Sequence, residues 1–195
     1  MHGTCGFRGI VDITLLILTI VSAATAKYSG GSGTADDPYQ IATATDLITL
    51  GETPADYDKH FILTDDIDLD PKLPGRKVFD RAVIAPDTVL TEEGFQGTPF
   101  TRVFGGTGHT ISHLTITGGS YLGVFGQLKS GAKVKNPGVV DIKITGSGYG
   151  GGGLAGLKNG IVTACYSTGA VSGTGWGVGG LIADTKAALI NEGIK

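Results

Sequence analysis

Apolar residues in this chain come in short alternating runs cut by glycine, with almost no helical stripe. The stretch "KHFILTDDIDLD", with apolar Phe61, Leu63, Ile67 and Leu69, predicts a strand. Val140, Ile142 and Ile144 point one way and Asp141 and Lys143 the other, which predicts a second. A short strand is expected at Tyr39–Ile41. A helix is expected near Ala44–Leu50, capped by Thr43 or Thr45 and stopped by Gly51.

The glycine-rich stretches between these runs recur. "TRVFGG" (Thr101–Gly106), "YLGVFG" (Tyr121–Gly126), "GGGLAG" (Gly151–Gly156) and "GVGGLIA" (Gly177–Ala183) align with Phe104, Phe125, Ala155 and Ile182 as corresponding positions. Their intervals, in the twenties to thirty, are those of one coil of a repeat array. A second landmark follows each stretch, beginning at Ile111, Val134, Val162 and Leu189 and placing Asn136 and Asn191 at the same point of their copies. A "TG" or "SG" turn then closes the unit at Gly118, Gly146 and Gly173. "GGGLAG" is therefore read as a corner plus a short strand. A phosphate loop would need Gly-Lys-Ser/Thr leading into a helix, whereas this stretch continues as "LKNGIVT".

A unit of two or three short strands buries nothing alone. Stacked at about 4.8 Å, successive units hydrogen-bond edge to edge and align their apolar positions in ladders. The expected fold is all-β: a right-handed parallel β-helix (β-solenoid) with a small N-terminal cap containing one short helix. The cap, residues 27–60, would cover the open apolar end of the first coil. Residues 61–195 form the solenoid, with repeats from about residue 101 and truncation at the C-terminus.

Composition changes this picture little. Glycine is abundant, with 34 residues in 195, which suits tight turns and closely stacked backbone. The formal net charge of −3 carries no basic stripe, so nucleic acid is excluded as a partner. Residues 1–26 read as a secretory signal peptide: Arg8, the apolar run Ile13–Ser22, and Ala24-Thr25-Ala26 as a cleavage pattern. Asp12 departs from that pattern, and a membrane role would follow only if the leader stayed uncleaved. With Cys5 in the leader, Cys165 stands alone in the mature chain and is expected to be a small buried apolar residue, in the ladder that holds Leu114.

"LGVFG", "GGLAG" and "GGLIA" resemble the GLUG motif, a glycine-hydrophobic-glycine repeat of large secreted bacterial proteins. "VTACYSTGAVSG" resembles the spacers of those arrays, "VFGGTGHTISHLTI" their opening segment, and "GSGTADDPYQIATATDLITLG" their N-terminal cap. The resemblance covers roughly residues 28–195. It implies repeat-forming roles for Gly123, Phe125, Gly126, Gly153, Leu154, Gly156, Gly180, Leu181, Asn136, Asn191 and Cys165, and a surface or adhesin-like protein. Gly105, Pro137 and Ala183 depart from the motif, Pro137 standing where an inward Leu or Cys is usual and Ala183 where the closing glycine is.

Catalytic residues and cofactors are not expected. Asp66, Asp68 and Asp70 alternate with Ile67 and Leu69 and share an outer face, where they could gather a Ca²⁺, although the spacing fits no defined calcium loop and a solvated edge face is the competing reading. Arg76, Arg81 and Arg102 with Asp80 and Asp87 supply charges without a recurring acid pair, and His109 and His113 are read as structural. Tyr121, Tyr149, Tyr166 and Trp176 fall near corners, where packing competes with stacking on sugars. The expected function is a non-enzymatic, secreted or cell-surface module, structural, adhesive or surface-binding, with polysaccharide or cell-surface ligands as partners. The alternatives are a polysaccharide-active β-helix enzyme and a spacer from a larger secreted protein. An uncapped last coil would let the chain self-associate through its C-terminal end.

Overall fold

The structure is a computed structural model that describes residues 26–89, 94–185 and 190–191, with side chains to residue 183. The leader and the side chains of Lys186, Leu189, Asn191, Glu192 and Lys195 lie outside the described residues, and with them the expected signal peptide and C-terminal self-association. No helix among the described residues is long and apolar enough to cross a membrane.

The protein is built mostly of short strands in parallel sheets. One sheet takes Tyr39–Ile41, Phe61–Leu63, Val103–Gly105, Lys133–Lys135, Ile161–Thr163 and Ile190–Asn191, each lying parallel against the one before. A second takes Ile67–Asp68, Thr110–Ser112, Thr115–Gly118, Gly138–Gly146 and Tyr166–Gly173. A third takes Phe125–Leu128, Ala155–Lys158 and Ile182–Thr185, and Gly151–Gly152 pairs with Val178–Gly179 at a corner. From Val103 onward the chain visits the first, second and third sheets in that order on each pass.

The passes enclose one core. Phe61, Phe104, Val134 and Val162 form a buried ladder in the first sheet, and Ile67, Ile111 and Val139 another in the second. Aromatic rings fill the wide end: Phe100 and Phe104 each lie 5.3 Å from Phe125, and Phe61 lies 6.2 Å from Phe100. The helix Ala44–Gly51 sits over this end. Its Thr43 cap accepts from the Asp46 N–H while the Asp46 carboxylate accepts from the Thr43 N–H. That reciprocal pair satisfies two orphan donors of the first turn. Leu47 and Leu50 are fully buried beneath it. The strand Tyr39–Ile41, just before this helix, extends the first sheet.

Register supports part of the alignment and corrects part. Phe125, Ala155 and Ile182 are directly stacked, as are Gly118, Gly146 and Gly173. Phe104 is not in that stack. Its place is taken by Ile84, while Phe104 pairs with Phe61 and Val134 on another face. The second landmark slips likewise: Ile111 pairs with Val139, and Val162 with Ile190 rather than Leu189. Asn191 therefore faces Thr163, level with Lys135, one place before Asn136. The stretch Phe61–Leu69 is two strands in two sheets, because the chain turns between Leu63 and Ile67.

Two left-handed residues reset the alternation. Asp141 (φ 52°) turns the phase, so Val139, not Val140, shares the core with Ile142 and Ile144. His113 (φ 55°) does the same between Ile111 and Leu114. Cys165 is buried, but Leu114 is not its ladder partner. Tyr166 pairs with Gly138, so the thiol stacks over buried Pro137. Its sulfur lies 3.7 Å from the Val134 carbonyl and 3.3 Å from that of Thr163, and burial pushes the thiol pKa up to about 11.

Candidate functional site

Two polar features face outward, and each comes from stacking successive passes. The first joins the acidic run to the two histidines. Asp66 and Thr110 are 44 residues apart, yet the Asp66 carboxylate accepts from the Thr110 N–H at 2.7 Å and from its hydroxyl at 3.1 Å. His109 Nδ1 lies 3.4 Å from the same oxygen. The Asp68 carboxylate meets His113 Nδ1 at 2.8 Å and accepts from the Asp70 N–H at 2.9 Å. Asp70 accepts in turn from the Lys72 N–H. The amide bond from Asp70 and the contact with His113 hold the Asp68 carboxyl below the usual range, and the bond to Asp68 raises the His113 imidazole.

Asp66, Asp68 and Asp70 do share one outer face, but their oxygens are committed to different partners. No group of three His, Cys, Asp or Glu among the described residues is arranged to hold a metal ion. Asp80 is likewise paired, through both oxygens, to Arg81. Asp87 is buried and accepts from the Gln96 N–H, closing the loop after Pro86. Arg76 donates to the Asp68 carbonyl and Arg102 to the Asp58 carbonyl. Of these, the Arg102–Asp58 bond joins one pass to the next, and the others lie within a single pass.

The second feature is an aromatic corner. Leu122 pairs with Gly151 and Gly151 with Val178, so Tyr121, Gly150 and Gly177 stack at one position. All three are left-handed, with φ of 53°, 71° and 76°. Two of the three are glycine, as the conformation favours; the third is a tyrosine, in a geometry that costs roughly 1–2 kcal/mol for a residue with a Cβ. The residues just before the two glycines are Tyr149 and Trp176, which stack one pass apart through the bond from the Gly150 N–H to the Trp176 carbonyl at 2.9 Å. Tyr149 is 56% exposed and Trp176 80% exposed.

Packing therefore does not account for these two rings. It accounts better for Tyr121, which is half-buried with its ring 5.7 Å from that of Phe95. Tyr166 lies over Gly138, where a Cβ would come within 2.5 Å of its ring, and still exposes 49% of its surface. Tyr121, Tyr149 and Trp176 line a cleft of about 270 Å³ with Gly150, Gly177 and Ala183. Beside it runs a broader groove of about 700 Å³ whose walls are hydroxyl-bearing: Thr117, Ser120, Thr145, Ser147 and Thr174.

The glycines of "GGGLAG" make the corner possible. A Cβ on Gly153 would lie 2.7 Å from the Gly180 carbonyl oxygen and 2.8 Å from Ile142 Cδ1. One on Gly156 would lie 2.4 and 2.5 Å from backbone atoms of Tyr121. Gly126 meets the Ala85 carbonyl at 2.2 Å in the same sense, whereas Gly180 has open space. Leu154 is fully buried, Leu181 is half-buried, and Gly123 places its corner against the Gly152 carbonyl.

Fold and site together define an all-β protein of stacked parallel strands that presents one exposed aromatic edge and one acid–histidine edge. The chain is 32% identical over 167 residues to halomucin of Haloquadratum walsbyi (strain DSM 16790 / HBSQ001), a match covering 85% of this chain and 2% of halomucin's length. A solved structure from Bacteroides ovatus, provisionally labelled an immunoglobulin A1 protease, is similar with a TM-score of 0.40 and 16% identity, over 82% of this chain and 65% of that one. No protein-family model matches the chain.

Proposed function

We propose that the protein is a non-catalytic, secreted or cell-surface module, wound as a right-handed parallel β-solenoid of GLUG-like repeats, with a structural, adhesive or surface-binding role. The observation that carries this reading is the parallel register that joins each pass to the next, Phe125 to Ala155 to Ile182 and Gly118 to Gly146 to Gly173. It leaves the interior to apolar ladders and any function to the outward edges. Similarity to halomucin and the secretory pattern of residues 1–26 support a place outside the cell or on its surface. A role without turnover is supported by the carboxylates themselves. Asp66 is bound by Thr110, Asp68 by His113 and Asp80 by Arg81, contacts that give these three carboxylates a structural use along the edge.

The test is a screen of the purified chain on pectins, alginates and β-glucans, with and without Ca²⁺, for new reducing ends or unsaturated products. The expected result is no product above buffer. Turnover that disappears on Asp66→Asn or Asp68→Asn would overturn the reading in favour of a polysaccharide-active enzyme.

A further inference from the structure

We propose that the corner formed by Tyr121, Tyr149 and Trp176, with the hydroxyl groove beside it, is a binding cleft for a neutral polysaccharide. This rests on the surface-binding reading and names its ligand class. The first ground is exposure. Single exposed apolar side chains are ordinary on protein surfaces. Here Tyr149 and Trp176, 56% and 80% exposed, stand at the same position of successive passes and line one cleft with Tyr121. Flat, rigid rings with a polar tip are what a binding surface uses to cover the apolar face of a sugar.

The second ground is spacing. Consecutive passes in a parallel sheet lie about 4.8 Å apart, so Tyr149 and Trp176 are borne at a spacing of the order of one sugar unit. A linear polymer could therefore run along the stacking direction and meet equivalent groups at each step.

The third ground is the chemistry of the walls. Ser120, Ser147 and Thr174 flank the three aromatic positions one pass after another. Their hydroxyls are only partly used: Ser120 Oγ accepts from the Tyr149 N–H, Ser147 Oγ donates to the Gly118 carbonyl, and Thr174 Oγ1 to the Ser147 carbonyl. Each keeps capacity to donate or accept toward a sugar hydroxyl. Among the described lining residues of both clefts the only charged one is Asp80, and Arg81 neutralises it. An anionic glycan or a nucleic acid would meet no cation there, and a cationic ligand no free carboxylate. Charge complementarity selects a neutral polymer of hydroxyls.

Trp176 is the only tryptophan in the chain, so intrinsic fluorescence reads this corner alone. The experiment titrates the whole protein with hydroxyethyl cellulose and dextran as neutral polymers and polygalacturonate as an anionic one, monitoring emission and retardation in polymer-containing native gels. The same samples are assayed for reducing ends. The expected result is a blue shift and retardation with a neutral polymer. Trp176→Ala and Tyr149→Ala should each weaken retardation about tenfold, Tyr149→Phe should keep it, and far-UV circular dichroism should stay unchanged. Four results would overturn the proposal: no response to either neutral polymer, a response to polygalacturonate alone, retardation that survives both alanine changes, or the same blue shift on raising protein concentration without polymer, which would make a second copy the occupant. Release of reducing ends would instead strike at the non-catalytic reading, leaving the location of binding to the variants.

Discussion

Replacing Gly156 by alanine separates what the repeat pattern implies from what the packing demands. By alignment the change is harmless, because the next copy carries Ala183 at the equivalent place. The local geometry says otherwise. A Cβ on Gly156 would stand 2.4 Å from the Tyr121 carbonyl carbon, 2.5 Å from its Cα and 2.9 Å from the Gly150 carbonyl oxygen. All three are backbone atoms, and Tyr121 is already in a left-handed conformation, so no side-chain end can swing aside. Forcing an extra methyl into a packed site costs about 1–3 kcal/mol. Loss of backbone freedom in the unfolded chain returns about 0.4–1 kcal/mol. The expected net loss is about 1–2 kcal/mol, or a Tm lowered by roughly 2–8 °C for a chain of this size. Gly180→Ala is the control: nothing lies within 4 Å of its Cβ position and its φ is not left-handed, so the same unfolded-state gain stands unopposed and its Tm should rise by about 1–4 °C. Thermal unfolding followed by far-UV circular dichroism gives both Tm values, and urea unfolding the free energies, with unchanged m confirming that only stability moved. A Gly156→Ala protein as stable as the parent would refute the reasoning that the corner backbone, and not motif identity, requires glycine there.

Other consequences follow from the same contacts. Phe125→Ala, which empties the space between Phe100 and Phe104, should cost about 3–5 kcal/mol in urea unfolding, and a loss under about 1 kcal/mol would contradict the packed aromatic core. Cys165, buried with its thiol pKa near 11, should react with a thiol reagent only in denaturant, and labelling of the native protein at the unfolded rate would exclude its inward position. His113 should titrate above its ordinary value of 6.5 because Asp68 holds the charged form, and Asp68→Asn should bring it back. The stabilising contribution of that contact is complete below about 6.5 and is lost as pH rises through the folded value, so histidine ring NMR that shows no upward displacement would rule it out.

Much of the architecture was legible in the chain. The spacing of the glycine turns predicted the stack Gly118–Gly146–Gly173, and the apolar positions predicted the stack Phe125–Ala155–Ile182, because neighbouring passes of similar length repeat the same strand-and-turn program. Thr43 marked the start of the helix, since capping is a local interaction, whereas Gly51, expected to stop it, is its last residue and Glu52 is the C-cap. Cys165 is buried as expected of a lone small apolar residue, but not in the Leu114 ladder to which the alignment assigned it.

Other features were decided by the tertiary structure. The early passes are offset by 44 residues at Asp66 and Thr110, against 27 at Thr145 and Ser172, because the chain departs from the strands after Asp70. Local pattern does not encode how far such an excursion shifts the register, so Phe104 was assigned to the wrong ladder and the Asp68–His113 contact was hidden. Aligning "DID" with "TIS", Asp66–Asp68 over Thr110–Ser112, would have exposed it. Nor does alternation survive a left-handed residue: Asp141 and His113 each reverse the phase, which is why Val139 and not Val140 lies inside. The aromatic corner is the sharpest instance. The sequence put Tyr149 and Trp176 near turns, but whether a ring is packed or presented depends on what the neighbouring pass places beside it. There the next pass sets Trp176 beside Tyr149, and both rings stay exposed. Periodicity states which side of a strand a residue takes; only the closing of one pass upon another determines what it meets.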